Sequence, residues 1–414
     1  MTNLPQGWEV KKLEEIANIK GGKRLPKGEN LLDNNTKFAY IRVADFQDNG
    51  TINLQNIKFI NENTYNVLKN YKIYDDNLYV SIAGTIGKSG IIPKELNGAI
   101  LTENAVKLEY IQNNISNKFM YFFTLSSSFK TQIQTSTKIV AQPKLAITRL
   151  KQIEIPLPPL KEQERIVGIL DESFAKIDES IKILEQDLLN LDELMQSALQ
   201  KAFNPLKDNA KENYKLPQAW EWKSLGEIFN IERGGSPRPI KEFLTDKEDG
   251  INWIKIGDIK NQKYLYKTEE KIIQEGLKKS KLVIEGDLLV SNSMSFGKPV
   301  IVKLQKGAIH DGWLLLKEKI NLNKEYFYYL FSSNFMYNFL SYQASGSTVK
   351  NLNIDKLKQI EIPLPPLKEQ EQIASHLDEI FSHVKNLKQN YQAQIKDLQE
   401  LKKSLLDKAF KGNL

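Results

Sequence analysis

The chain has 414 residues, and its 41% hydrophobic and 26% charged content is ordinary for globular domains. Its length allows two or three domains of about 100–200 residues each. The absence of cysteine excludes disulfides, thiolate nucleophiles and cysteine-based zinc sites. The sequence shows neither a signal-peptide pattern nor a run of about 20 apolar residues, so we expect a cytoplasmic protein.

The first segment mixes short β-like runs with breaks rich in Gly, Asn and Ser. Residues 38–43 and 78–82 are such runs, and residues 118–129 have a helical pattern. This mixture predicts an α+β domain, and we assign it to residues 1–155.

A long helical segment follows, which we assign to residues 156–204 as a first spacer. Its apolar residues recur at alternating intervals of three and four from Val167 to Ala202, which is typical of a coiled coil. Prolines precede the predicted helix, and Asn204-Pro205 marks its end.

The same order then repeats. After a linker at residues 205–215, residues 216–362 form a second α+β domain, with β-like runs at 253–256 and 288–290 and a helical pattern at 324–339. Residues 363–414 form a second helical spacer. Two positions of its apolar seam, Lys388 and Lys402, are charged.

The chain is therefore a tandem repeat. Residues 152–164 recur without change at 359–371, and Leu-Pro-Gln-x-Trp-Glu begins each half. The middles match only loosely, so two divergent domains share a near-constant frame. Two readers of different targets explain this pattern, although a duplicated domain that drifted without consequence would produce it too.

The two long helices would each expose an apolar seam unless they packed together. The linker is short, so an antiparallel pair is the economical solution, with one domain at each end and a pseudo-twofold axis. The predicted seam consists of Val167, Leu170, Phe174, Ile177, Ile181, Leu184, Leu188, Leu191, Met195, Leu377, Phe381, Val384, Tyr391, Ile395, Leu398 and Leu405.

The charge pattern points towards nucleic acid. The net charge is +7, and its positive excess lies in the two variable domains, whereas the first spacer is acidic. Lysine-rich surfaces also serve solubility, so charge alone leaves both interpretations open.

Motifs of catalysis are not convincing. Gly84-Thr85-Ile86-Gly87-Lys88-Ser89 resembles part of a phosphate loop, but Ile82 stands where the pattern requires glycine. The three histidines lack metal-ligand spacing, and His310-Asp311 has no visible third partner. No methyltransferase or nuclease motif was found, so we expect a non-enzymatic chain without a metal site.

The combination of these motifs resembles the specificity subunits of type I restriction-modification systems. The features that carry the resemblance are Leu-Pro-x-x-Trp at each domain start, Gly-Thr-Ile-Gly-Lys at 84–88, two copies of Ile-Pro-Leu-Pro-Pro-Leu-Lys-Glu-Gln, and long helices that end in Lys-Ala-Phe. The resemblance covers essentially the whole chain.

The resemblance implies two target-recognition domains that read the halves of an asymmetric, split DNA target. It also implies assembly with two methyltransferase (modification) subunits and with restriction/translocase subunits. S-adenosylmethionine, ATP and Mg would bind those partners and not this chain. A single-chain restriction-methylation enzyme and a coiled-coil scaffold without DNA are the alternatives.

Candidate DNA contacts are basic and amide side chains in polar, glycine-rich loops. Arg and Lys can address phosphate or guanine, and Asn and Gln can address adenine. The candidates are Lys23, Arg24, Lys27, Arg42, Lys88, Lys138 and Gln142 in the first domain, and Arg233, Arg238, Lys255, Asn292, Lys298, Lys350 and Asn351 in the second.

Overall fold

The computed structural model describes residues 4–136, 144–203, 216–259, 262–292, 297–344 and 352–414. The chain divides into two compact units. The first comprises Met1–Leu184 with Gln392–Leu414, and the second comprises Glu185–Tyr391. Each unit therefore contains one variable domain and part of both long helices.

The first unit contains two four-stranded sheets and a two-stranded one, in the orders β2-β9-β6-β7, β4-β3-β8-β5 and β1-β10. Only the β3–β8 pairing is parallel among these neighbours. The strands are β1 (Glu9–Lys12), β2 (Ala17–Gly21), β3 (Ala39–Ile41), β4 (Lys58–Phe59), β5 (Lys72–Ile73), β6 (Leu78–Ser81), β7 (Ser89–Ile91), β8 (Ala99–Leu101), β9 (Ala105–Tyr110) and β10 (Glu154–Leu157).

Helices cover one face of the first sheet, and the second sheet covers the other. In β6, Leu78 and Val80 pack among the helices, whereas Tyr79 between them packs against the second sheet, as the two-residue period of a strand requires. The helices of this unit are α1 (Leu13–Ile16), α2 (Glu62–Val67), α3 (Asn117–Leu125), α4 (Ser127–Ser136), α5 (Ile147–Leu150) and the beginning of α6 (Leu160–Ala202).

The second unit repeats this architecture. Its sheets have the orders β12-β20-β17-β18-β14, β15-β13-β19-β16 and β11-β21, so among the described residues the edge strand β14 is the one addition. The strands are β11 (Glu221–Ser224), β12 (Phe229–Arg233), β13 (Ile251–Ile254), β14 (Tyr264–Leu265), β15 (Glu270–Ile272), β16 (Lys281–Ile284), β17 (Leu288–Ser291), β18 (Pro299–Val302), β19 (Lys306–Ile309), β20 (Trp313–Glu318) and β21 (Glu361–Leu364). The remaining helices are α7 (Leu225–Ile228), α8 (Lys324–Ser332), α9 (Asn334–Ala344), α10 (Ile354–Lys358) and α11 (Leu367–Ala409).

The helical stretches predicted at 118–129 and 324–339 are helical, and each is divided into two helices, α3 with α4 and α8 with α9. Each is broken at a buried serine, Ser126 or Ser333, whose backbone is extended. The Ser126 hydroxyl donates to the Phe123 carbonyl oxygen at 2.7 Å and accepts from the Phe129 N–H at 3.3 Å. Such local bonds compete with the helical ladder, so the chain stops one helix and starts the next.

The long helices α6 and α11 run antiparallel within each unit. In the first, the Arg165 Nη2 donates to the Leu414 carbonyl oxygen at 2.8 Å, and Lys402 Nζ lies 2.6 Å from Asp178 Oδ1. In the second, Lys388 pairs with Asp192. The predicted seam side chains lie at the buried and half-buried positions of these helices. The two charged seam positions thus face acids.

The duplicated proline block forms a joint between each domain and its long helix. Strand β10 pairs with β1, so the two recurrent motifs of the first half meet in one small sheet. Gln163 is 1% exposed, and its Oε1 accepts from the Ser116 N–H at 2.8 Å while its Nε2 donates to the carbonyl oxygens of Asn114 (3.0 Å) and Pro158 (2.9 Å). The joint therefore holds the N-terminus of α3 against the start of α6.

The second unit has the same joint. Strands β11 and β21 pair, and Gln370 accepts from the Asn323 N–H at 3.0 Å and donates to the Pro365 carbonyl oxygen at 2.9 Å. The Trp220 indole N–H also donates to Glu369 at 2.9 Å. The expectation of two α+β domains with long antiparallel helices is confirmed. In the described ranges, no helix has both the length and the apolar character needed to cross a bilayer.

Candidate nucleic-acid interface

In the first unit, loops after β2, β3, β6 and β8 meet and form a surface that we call the first loop edge. It comprises residues 22–24, 41–42, 82–83 and 102–104. Backbone hydrogen bonds tie these loops together, and each runs from an amide N to a carbonyl O. They join Gly22 to Ala105 (3.0 Å), Lys23 to Leu101 (2.8 Å), Thr102 to Ile41 (3.0 Å) and Ile82 to Asn104 (2.8 Å).

The second unit has an equivalent surface, the second loop edge, at residues 234–236, 254–255, 292 and 310–312. The same four bonds occur between the corresponding strands. They join Gly234 to Trp313 (2.9 Å), Gly235 to Ile309 (3.1 Å), His310 to Ile254 (3.3 Å) and Asn292 to Gly312 (2.7 Å). The two edges therefore share one backbone framework.

A glycine is required where the loop after β2 or β12 approaches the loop after β8 or β19. A Cβ on Gly22 would lie 2.1 Å from the Thr102 carbonyl oxygen, and a Cβ on Gly234 would lie 2.2 Å from that of His310. Both distances are far inside van der Waals contact, so any side chain would push the loops apart. The paired glycines at 21–22 and 234–235 are therefore a sequence signal of this edge.

The side chains of the two edges differ, but each edge holds a carboxylate at the same position. In the first, Arg24 Nε donates to Glu103 Oε1 at 2.7 Å, and the Arg24 side chain is 80% exposed. In the second, the equivalent of Arg24 is Ser236, whose hydroxyl donates to Asp311 Oδ1 at 2.8 Å. A donor on the loop after β2 or β12 thus meets an acid on the loop after β8 or β19.

Both carboxylates are held in their charged form. Partial burial opposes ionisation of Glu103, but the hydrogen bonds from Arg24 and Thr102 outweigh it, and its pKa is lowered from the usual value. For Asp311, burial again opposes ionisation, but the hydrogen bond that it accepts from Ser236 and the nearby His310 together lower its pKa. At neutral pH each group is a pure hydrogen-bond acceptor.

His310 also contributes a defined hydrogen-bonding state. Its Nδ1 accepts from the Gly312 N–H at 2.6 Å, and burial lowers the pKa of the imidazole. The ring is therefore neutral at neutral pH, with its proton on Nε2. This side chain replaces Thr102 of the first edge and changes the chemistry presented there.

Arg42 and Lys255 occupy equivalent positions, but neither is free. The Arg42 guanidinium donates to Asp45 through Nε (3.0 Å) and Nη2 (2.5 Å) and to the Asn56 carbonyl oxygen at 3.0 Å. Lys255 Nζ lies 3.0 Å from Glu270 Oε1. Arg42 acts here as a bridge over a buried carboxylate, so it is a weaker candidate for direct base contact.

The Gly-Thr-Ile-Gly-Lys motif forms a tight turn after β6. The Ser81 hydroxyl accepts from the Lys88 N–H at 2.9 Å, and Ser291 accepts from Lys298 at the same distance in the second unit. Lys88 Nζ lies 2.7 Å from Asp48, at the rim of a cleft of about 350 Å³ between this turn and α4.

The remaining candidates fall into three groups. Those with exposed side chains are Lys23, Lys27, Arg233, Arg238 and Lys298. Asn292 is fully buried, and its Oδ1 accepts from the Leu352 N–H at 2.9 Å, so its side chain stabilises the second loop edge and is not exposed. Four candidates lie outside the described residues, namely Lys138, Gln142, Lys350 and Asn351.

Sequence reasoning missed the acidic half of the edge. Glu103 and Asp311 were not candidates for DNA contact, because only basic and amide side chains were considered. The sequence signal that could have found them is the acid that stands two residues before β9 and β20. Across the described ranges, no group of three His, Asp or Glu side chains could hold a metal ion.

Comparison with known proteins identifies the family. The family model "Type I restriction modification DNA specificity domain" matches residues 5–188 and again residues 217–397, which is most of the chain. The chain belongs to this family of type I restriction-modification specificity subunits. Specificity subunits are the non-catalytic members of their enzymes, which confirms the expectation of a DNA-specificity chain without catalytic function of its own.

Curated specificity subunits match the full length. The EcoBI specificity subunit of Escherichia coli is 25% identical over 100% of this chain and 88% of its own length. The MjaVIII specificity subunit of Methanocaldococcus jannaschii is 26% identical over 99% of this chain and 94% of its own. The resemblance therefore includes both domains and both spacers.

Solved structures show the same fold. A chain from a study of complex assembly and conformational transition in a type I R-M system matches with a TM-score of 0.79 at 22% identity, over 100% of both chains. The HsdS subunit from Thermoanaerobacter tengcongensis matches with a TM-score of 0.66 at 21% identity, over 99% of this chain and 98% of that one.

Proposed function

We propose that this specificity subunit reads an asymmetric, split DNA target, with one half-site bound at each loop edge. The observation that carries this proposal is the shared backbone framework of the two edges together with their different side chains. A common framework lets two domains approach DNA in the same way, and different side chains lead them to select different bases.

The charge of the edges supports contact with DNA. Lys23, Arg24 and Lys27 lie in the loop after β2 of the first unit. In the second unit, Arg233 ends β12 and Arg238 lies in the loop after it, and all five side chains are exposed. Such side chains neutralise phosphates and fix the register of a domain on the duplex. The carboxylates would then act at base edges and not at the backbone.

The partners that we propose are two methyltransferase subunits and the restriction/translocase subunits of the same system. S-adenosylmethionine, ATP and Mg would bind those subunits, so this chain would supply the DNA sequence specificity. The complex would act in the cytoplasm, where the DNA lies. The two joints support this assembly, because each fixes a domain rigidly to a long helix and would give partners a defined frame.

The direct test is DNA binding by the complex of this chain with its modification subunits. We expect a duplex with the intact target to bind at least about tenfold more tightly than duplexes in which either half is scrambled. We also expect affinity to fall steeply with salt, because phosphate contacts release counterions. Equal affinity for the intact target and for duplexes with either half scrambled would contradict the proposal. Methyl transfer by the pure chain would contradict the assignment of catalysis to the partner subunits.

We further propose that the paired long helices set the gap between half-sites. Inserting one helical turn into both α6 and α11 should lengthen the unspecified gap in the methylated sequence, because half-sites on one DNA face lie about a helical turn apart. Insertions in the linker at 205–215 serve as the control and should leave the gap unchanged. An unchanged gap after the paired insertions would refute this role.

A further inference from the structure

The structure assigns sequence discrimination in each half-site to one donor–acid pair, Arg24 with Glu103 in the first unit and Ser236 with Asp311 in the second. This inference rests on the proposed function and deepens it, because it names the side chains that distinguish one base pair from another. It concerns two acids that neither the basic character of the domains nor the recurrent motifs suggested.

Geometry singles out these positions. Arg24 and Ser236 stand at the same place after β2 and β12, and Glu103 and Asp311 stand at the same place before β9 and β20. The backbone around each pair is fixed by the four equivalent hydrogen bonds of its loop edge. The pair is thus a site where side-chain chemistry varies on a constant support, which is the requirement for a specificity determinant.

The solvent exposure of these side chains agrees with this role. The Glu103 side chain is 24% exposed and that of Asp311 is 50% exposed, so both reach the surface, while Arg24 is largely in solvent. Because Arg24 is largely exposed, its ion pair with Glu103 adds little to folding, and in the second unit the acid meets a serine instead. A stabilising salt bridge therefore does not explain why an acid stands at this position in both units.

The acid restricts the bases that the edge accepts. A carboxylate can only accept hydrogen bonds, so in the major groove it favours a base that presents an exocyclic amino group, such as cytosine. It is repelled by the major-groove edge of guanine, which presents only acceptors. In the first unit, Arg24 adds a donor that suits guanine O6 and N7. The first pair therefore fits a G·C base pair, with the arginine bound to guanine and the acid bound to cytosine.

The pair of Ser236 and Asp311 should select bases differently. Ser236 carries a hydroxyl that donates and accepts, so it discriminates less than an arginine fork. Asp311 retains the preference for an amino group. We therefore expect the second half-site to contain one position with a strong demand for an amino-bearing base and a weaker preference beside it.

The test uses the complex of the full chain with its modification subunits and a panel of duplexes. The sequence that the wild-type complex methylates supplies the target, and each duplex changes one base pair of it. We expect Glu103→Gln to reduce discrimination by about tenfold at one position of one half-site, because an amide both donates and accepts. Asp311→Asn should do the same at one position of the other half-site only.

Glu109→Gln is the matched control. Glu109 lies further along β9, is 27% exposed and is paired with Lys20 and Lys107, so it undergoes the same chemical change away from the edge. We expect its discrimination profile to equal that of the wild type.

Two results would overturn the inference. One is an unchanged profile in Glu103→Gln and Asp311→Asn, and the other is a uniform loss of affinity for all duplexes, which would indicate a structural role. Either result leaves the proposed function intact as long as the wild-type complex reads a split target. If the wild-type complex shows no sequence preference, the proposed function itself fails.

Discussion

At the first loop edge, an arginine and a glutamate meet above a threonine, whereas the second places a serine and an aspartate beside a neutral histidine. The backbone beneath them is the same, down to four equivalent hydrogen bonds. The joints show the opposite behaviour, since both use a buried glutamine, Gln163 or Gln370, in the same way. Duplication has therefore kept the frame and changed the surface that it carries.

The largest expected effect concerns the hydrophobic core of each unit. Each core includes a phenylalanine that directly follows a long helix, Phe410 in the first unit and Phe203 in the second. Phe410 is 5% exposed and packs on Phe119 and Phe123, with ring centroids 5.1 and 5.4 Å away. We expect Phe410→Ala to destabilise the first unit by about 3–5 kcal/mol, because the cavity would not refill. Hydrogen exchange should accelerate across residues 4–136 and remain unchanged across 216–259.

Phe203→Ala is the mirror-image experiment, since Phe203 packs on Tyr326 in the second unit with ring centroids 5.3 Å apart. Its faster exchange should be confined to the second unit. Leu401→Ala, at a 46% exposed position of α11, the helix that Phe410 follows, is the control and should change stability by less than about 0.5 kcal/mol. Equal acceleration in both units after either phenylalanine change would contradict the separation of the two cores.

The joints should give the next largest effect. Gln163→Ala would leave the Ser116 N–H and two carbonyl oxygens without their buried partner, so we expect a loss of about 2–3 kcal/mol in the free energy of unfolding of the first unit. Gln370→Ala should act similarly on the second unit.

The measurement for the joints is urea denaturation followed by exchange within each unit. Gln200→Ala, at an exposed position of α6, is the control. If neither Gln163→Ala nor Gln370→Ala changed the free energy of unfolding, the recurrent proline block would not act as a joint between domain and helix.

The smallest effect concerns the charged seam positions. Lys402 pairs with Asp178 and also lies 4.7 Å above the Phe174 ring. Because the Asp178 side chain is 62% exposed, we expect a coupling of only about 0.5–1 kcal/mol in a double-mutant cycle of Lys402→Ala and Asp178→Ala.

The equivalent cycle on Lys388 and Asp192 should give the same value, because the two pairs have nearly the same exposure. The Lys176–Glu172 pair, in which both side chains are 72% exposed, is the control and should couple more weakly. Coupling below that control would show that the charged seam positions do not select the helix register.

Much of the architecture could be predicted from the sequence. The heptad seam and the duplicated proline block indicate paired helices and two domains, because apolar periodicity and exact repetition are strong signals. The breaks at Ser126 and Ser333 could not be predicted, because they depend on buried hydroxyls that the surrounding helices enclose.

The site was less predictable than the fold. Arg24 is a candidate that the structure places at the first edge, whereas Arg42 is bound to a buried aspartate, and sequence alone does not distinguish them. Glu103 emerges only when β2 and β9, distant along the chain, are brought side by side, and Asp311 only when β12 and β20 are. Long-range pairing determines the site, and local patterns do not reveal it.

The central claim is that two domains on one frame read two different half-sites. Single-molecule sequencing of DNA from a methylation-free host that expresses this chain with its modification subunits tests it most directly. We predict one methylated sequence with two unequal specified runs and unspecified bases between them. A single uninterrupted run, or two identical halves, would contradict the account.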